Sequence, residues 1–243
     1  KVKPVAARDG QDLAQLVDWL NENDLASEAL KWSEKLPTSL TSSPPTVIAL
    51  AQALAATKNF SRLKRWTRSG SWGDDDYLRL AYQAYAVKET RHAAADAESD
   101  SLWQAAEHAA ADHPDREVGL ARLASSWKLS QEAEQLWLKA AQVSGTRREA
   151  LDELYRIYRP TNDLPNLRLI AQRLHESSPD EVGLAANAAR LALLLDRNTA
   201  EGQQLAAQTY QKAPNDTAAA VTYAFALYTT GHTPAGLDVL KKL

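Results

Sequence analysis

"LWQAAEHAA" (Leu102–Ala110) and "LWLKAAQVS" (Leu136–Ser144) carry the same Leu-Trp pair and the same Ala at the fifth position, 34 residues apart. The interval recurs elsewhere in the chain. Trp32 and Trp66 are 34 apart, Trp66 and Trp103 are 37 apart, and Trp103 and Trp137 are again 34 apart. Self-similarity at a fixed period of this length is the sequence mark of a repeat architecture, in which each unit buries its apolar face on the next.

The segments between the tryptophans read as helices. Apolar residues recur at i, i+3, i+4 and i+7, as in Leu13, Leu16, Val17 and Leu20, and again in Leu151, Leu154, Tyr155 and Tyr158. No stretch shows the strict alternation of a half-buried strand. The breaks are short and polar: "NEND" (21–24), "TKN" (57–59), "RPTND" (159–163), "DRNT" (196–199) and "TTGH" (229–232). Pro114, Pro179 and Pro214 stand just past expected helix ends, where a missing N–H does least harm.

A helix pair every 34 residues resembles the tetratricopeptide repeat (TPR) family. That pattern has large residues at positions 4, 7, 8 and 11, a small turn residue at 15, small residues at 20 and 27, and Pro at 32. Units starting at Gly10, Pro44, Tyr77, Pro114, Arg148, Val182 and Thr217 fit best. The last unit places Tyr223 and Ala224 at 7 and 8, Leu227 at 11, Gly231 at 15 and Gly236 at 20. The fifth places Leu154, Tyr155 and Tyr158 at 7, 8 and 11 and Pro179 at 32. The fourth places Leu120, Ala121 and Ala124 there, with Ala133 at 20 and Ala140 at 27. The second and third units depart from the pattern, the third carrying extra residues within "RHAAADAESD" (91–100). The resemblance implies an all-α fold: a right-handed α-solenoid of about seven antiparallel helix pairs. It would be a single array over 10–243 after an irregular leader over 1–9.

Composition narrows the functional classes. Of 243 residues, 44% are hydrophobic and 24% charged, the range of ordinary globular chains. A formal net charge of -3 argues against a surface built to grip nucleic-acid phosphates. No apolar run reaches the ~18 residues of a membrane span. The absence of cysteine excludes disulfides and Cys-ligated metal sites. The chain has no Met and opens "KVKPVAARDG", so it is expected to be a processed or excised piece of a longer protein, and its compartment stays open.

Chemistry-bearing patterns are sparse. The histidines are His92, His108, His113, His175 and His232. His108 and His113 are turned roughly 140° apart on a helix, so they cannot form a zinc-binding pair. "SGSWGDDD" (69–76) resembles a phosphate loop only superficially, because its three aspartates would cap the next helix and repel an anion. No catalytic residue, metal site or cofactor is expected, and the chain reads as a non-enzyme. The four tryptophans read as packing residues of the second helices.

One pattern stands out. Position 9 of the first helix, which the resemblance places in a concave groove, holds Asp18, Gln52, Tyr85, Arg122, Arg156, Arg190 and Phe225 in successive units. Three arginines at strict 34-residue spacing would form a ladder, with Arg159 nearby and Phe225 and Tyr228 as an apolar floor. Guanidinium groups match carboxylates in bidentate fashion, so an acidic segment or a C-terminal carboxylate would suit them. The competing reading pairs these arginines with acids of the same chain, Asp152 being the expected partner of Arg156.

Two functions follow as expectations. The first is a protein-interaction scaffold whose groove holds a peptide or partner segment, anchored by Arg122, Arg156, Arg190, Arg159, Tyr85, Phe225 and Tyr228. The second is a structural assembly or anchoring segment that binds through its ends or convex face. "LDVLKKL" (237–243) leaves Leu240 and Leu243 on an apolar stripe. This uncapped end is therefore expected to continue into more chain, to self-associate, or to pack on a partner.

Overall fold

The computed structural model describes residues 2–68, 70–90, 95–196 and 199–243, so His92 and residues 91–94 of the stretch "RHAAADAESD" (91–100) lie outside the described residues. The chain is all-α: sixteen α-helices and no strand among the described residues. It divides into two compact units, Lys1–Leu120 and Ala121–Leu243.

The first unit holds α1 (Lys3–Ala6), α2 (Gly10–Glu22), α3 (Ala26–Ser33), α4 (Thr38–Thr41), α5 (Thr46–Ala56), α6 (Phe60–Thr67), α7 (Asp76–Thr90) and α8 (Ala95–Ala110), and α9 (Pro114–Ser126) spans the boundary. The leader is thus helical over Lys3–Ala6. Asp9 caps α2, its carboxylate accepting from the amides of Gln11 (2.6 Å) and Asp12 (3.3 Å). Helix α5, "TVIALAQALAA", is apolar on nearly every side because it packs against α2, α3 and α6. Two side chains tie it to α2 by bonds to main-chain carbonyls: Thr46 Oγ1 to Gly10 (2.9 Å) and Asn21 Nδ2 to Ala49 (3.0 Å).

The second unit holds α10 (Ser130–Ala140), α11 (Arg147–Tyr158), α12 (Leu164–Ser177), α13 (Val182–Leu195), α14 (Ala200–Lys212), α15 (Thr217–Thr229) and α16 (Thr233–Leu240). Each helix from α10 onward packs on the next, and α15 also packs back on α13. Ala189, Leu193, Ala206 and Ala226 form one buried cluster, with Leu205, Tyr223 and Phe225 against it. Ala220, Ala224 and Val239 form another. Small residues allow the close approach: a Cβ on Gly236 would sit 3.0 Å from the Ala224 carbonyl oxygen.

The junctions repeat a single backbone device. Asp24, Lys58, Lys128, Asn162 and Gly231 all have φ between 51° and 82°, the left-handed region. In each case the following amide bonds back five residues: Leu25 to Leu20, Asn59 to Leu54, Leu129 to Ala124, Asp163 to Tyr158 and His232 to Leu227. This bond satisfies an orphan carbonyl at the end of the first helix and turns the chain into the second. The five residues sit at position 15 of their units, where the resemblance calls for a small residue and only Gly231 is one.

The repeated tryptophans divide into two kinds. Trp103 and Trp137 are buried, Trp137 donating from Nε1 to Ser125 Oγ at 2.9 Å, whereas Trp32 and Trp66 are half-buried. Lys3 lies over the Trp32 ring at 5.6 Å. In the aspartate-rich stretch, Asp76 accepts the Trp72 amide (2.9 Å) and clamps Arg79 through both carboxylate oxygens (2.7 and 2.8 Å). The hydrogen bonds from Arg79 hold the Asp76 carboxyl below the usual carboxylate range.

Candidate functional site

The arginines at 34-residue spacing lie on α9, α11 and α13, whose other faces are buried. Arg122 extends from α9 to α11 and grips Glu149 in bidentate fashion, Nε to Oε1 at 2.7 Å and Nη2 to Oε2 at 2.8 Å. These bonds lower the Glu149 carboxyl below its ordinary range. Arg156 pairs with Glu153 on its own helix. Glu149, Glu153 and Arg156 are spaced i, i+4 and i+7, so they share one stripe of α11.

The neighbouring stripe of α11 faces α13. Arg148 binds Asp152 (3.1 Å), Glu181 (2.8 Å) and the Ser178 hydroxyl (3.1 Å). Asp152 is therefore bound to Arg148, and Glu153 takes the place beside Arg156 that the sequence assigned to Asp152. The reason is competition: Asp152 is held by Arg148, which also reaches Glu181, and Arg156 takes Glu153 on its own helix. Further along, the Asn187 amide donates to the Tyr155 hydroxyl at 3.1 Å, and Arg190 Nη2 donates to Asn187 Oδ1 at 2.8 Å. Arg159 follows α11 and is exposed.

These charges form a chain of exposed pairs across α9, α11 and α13. The Arg122 side chain keeps 61% of its surface in solvent and that of Arg156 keeps 72%. Pairs so exposed contribute about 0–1 kcal/mol each, since water and salt screen them. Arg148, Glu149, Glu153 and Asn187 escaped the sequence reading. For Arg148 and Glu149 the signal was opposite charge on neighbouring helices, Glu149 following Arg122 by 27 residues and Glu181 following Arg148 by 33, whereas Glu153 sits three residues from Arg156 and neutral Asn187 gave no charge signal.

The aromatic members lie elsewhere. Tyr85 belongs to the first unit, where it meets Phe60 edge-on with ring centroids 5.4 Å apart. Burial raises its hydroxyl pKa, with the Glu89 charge adding to the effect. Phe225 and Tyr228 line an apolar cleft of about 290 Å³ between α15 and α16, with Val221, Leu237 and Leu240. Tyr228 is 59% exposed and Leu240 40%. Leu243, on the same sequence stripe, is also exposed.

A second cleft of about 300 Å³, between α12, α13 and α14, has a mixed polar and apolar lining. Arg168, Gln172, His175, Glu201 and Gln204 line it, and Arg168 approaches Glu201 at 3.6 Å. Among the described residues, no three His, Asp or Glu side chains come together to hold a metal ion. No described helix is long and apolar enough to cross a membrane. No protein-family model matches the sequence, and no curated protein matches it.

Proposed function

We propose that the chain is a TPR-like α-solenoid acting as a non-enzymatic protein-interaction scaffold, which binds an acidic partner segment along the first helices α9, α11 and α13. The left-handed residue at position 15 of five units supports the repeat reading. Ion pairs between helices of successive units, such as Lys64–Glu98 and Arg168–Glu201, support it as well. The observation that carries the binding reading is the bidentate grip of exposed Arg122 on the Glu149 carboxylate. The site already holds the group it would recognise, and a partner's carboxylate can replace it at a cost of about 0–1 kcal/mol. Arg156 and Arg190 extend the same chemistry to the next two units, and Phe225 and Tyr228 supply apolar anchors further on.

The test uses a fluorescein-labelled Glu-rich peptide followed by anisotropy. Wild type binds in a salt-sensitive way, and R122E/R156E/R190E loses binding while keeping its helical circular dichroism. Removing the internal competitor with Glu149→Gln tightens binding by a few-fold, on the order of the ~0.5 kcal/mol of one exposed pair. Unchanged binding by the triple variant would refute the arginine row as the site. A second reading, an assembly segment that binds through apolar faces, is favoured by the α15/α16 cleft and by a corresponding exposed face on α1 and α2.

A further inference from the structure

Four arginines of the second unit already hold a carboxylate: Arg122 meets Glu149, Arg148 meets Glu181, Arg156 meets Glu153 and Arg168 meets Glu201. Arg147 and Arg173 hold none among the described residues, and both line a single cleft. It has a volume of about 280 Å³ and lies where the end of α10, the start of α11 and the end of α12 meet. Buried Leu151 and Ala141 supply its apolar lining.

A guanidinium carries five N–H donors in a planar fork. Arg147 spends two of them on main-chain carbonyls, Nε on Ala141 at 3.1 Å and Nη2 on Gln142 at 3.4 Å. Those bonds fix the group against the end of α10 and leave its remaining N–H groups unspent. Among the described residues Arg173 makes no hydrogen bond or ion pair, so its whole fork is open. Glu176 is the one carboxylate in the lining. Its Oε1 accepts from Gln172 Nε2 at 3.0 Å, and it pairs with neither arginine. Two guanidinium charges against one carboxylate leave the cleft net positive.

The number of forks selects the ligand. A carboxylate has two oxygens and one charge, and one guanidinium satisfies it, as Arg122 satisfies Glu149. A phosphate group carries about -1.5 to -2 charges at neutral pH and three strong acceptor oxygens, enough to engage two forks at once. The side-chain amide of Gln142, in the same lining, adds a further donor. Because Arg147 is already anchored, less side-chain freedom is lost when an anion arrives.

We propose that the α10/α11/α12 cleft is a binding site for a phosphate group, held between Arg147 and Arg173. The site uses none of the arginines at 34-residue spacing and stands independently of the acidic segment proposed for them.

The test follows the Nε–H resonances of Arg147 and Arg173 in the isotope-labelled 1–243 chain as inorganic phosphate is added at constant ionic strength. Wild type gives saturating shifts at both residues, and acetate binds about tenfold more weakly. Arg173→Gln weakens phosphate binding about tenfold, read at Arg147, as loss of a charge-assisted bond does. Arg173 makes no bond within the described protein, so this variant keeps wild-type circular dichroism. Glu176→Gln tightens binding a few-fold by removing the competing charge, and R122E/R156E/R190E binds phosphate as wild type does. A phosphoserine peptide that binds more tightly than inorganic phosphate, while its serine form does not bind, assigns the group to a protein partner. Binding no tighter than inorganic phosphate assigns it to a small phosphorylated solute. Shifts that do not saturate overturn the proposal. So does acetate binding as tightly as phosphate, or phosphate binding that is unchanged in Arg173→Gln.

Discussion

Lys128 holds a left-handed backbone at the junction of α9 and α10, with φ 60°, and Lys128→Gly is expected to stabilise the protein. An L-residue in that region costs roughly 1–2 kcal/mol because Cβ crowds the following carbonyl. Glycine removes this strain but gains more freedom in the unfolded chain, worth about 0.5–1 kcal/mol against the substitution. The lysine side chain is exposed and lies beyond the helix end, so little packing is lost with it. The difference favours glycine by about 0.5–1 kcal/mol, which for a chain of this size raises the melting temperature by about 1–4 °C. Thermal unfolding followed by circular dichroism measures it, with Gln135→Gly as a control. Gln135 is exposed within α10, where glycine should cost about 1 kcal/mol. Lys58→Gly should repeat the gain in the first unit, and Gly231→Lys should reverse it. If Lys128→Gly lowers the melting temperature as much as Gln135→Gly does, the left-handed turn is not the feature that ends these first helices.

Trp137→Phe should cost about 1–3 kcal/mol in urea unfolding, because it opens a cavity and strands the Ser125 hydroxyl. Trp66→Phe should cost less, since Trp66 is half-buried and its Nε1 has no hydrogen-bond partner among the described residues. Equal costs would contradict the division of the tryptophans into buried and half-buried. Asp76→Asn should lose about 1–2 kcal/mol near neutral pH through its bonds to Arg79 and the Trp72 amide. Because the folded Asp76 pKa is lowered, its contribution is fully present above the unfolded value of about 4 and disappears as pH falls through the lower folded value. The stability gap between wild type and variant should therefore be flat above about pH 5 and close in acid. A gap that persists at the lowest pH would show that the carboxylate charge is not its source.

The sequence by itself determined that the chain is all-α. Apolar residues at helical spacing, short polar breaks and the 34-residue return of Leu-Trp follow from local propensity and from which face must be buried. Gly10, Pro114, Val182 and Thr217 are first residues of helices in the structure. The position-15 turn was legible as a break but not as a left-handed residue. At Lys58 and Lys128 the side chain gives no sign of it, because the five-residue backbone bond imposes that conformation. Ion-pair partners were legible only as charges at suitable intervals. Successive helical residues point about 100° apart. Asp152 and Glu153 both lie within reach of Arg156, so the choice between them depends on Arg148, which takes Asp152 while reaching across to Glu181, and only packing fixes that. Exposure was likewise a tertiary matter. Leu193 and Tyr228 are each the twelfth residue of their helix, yet one is buried beneath α15 and the other lies open in the α15/α16 cleft. Burial belongs to the neighbour that covers a residue, and a linear pattern records the residue without the neighbour.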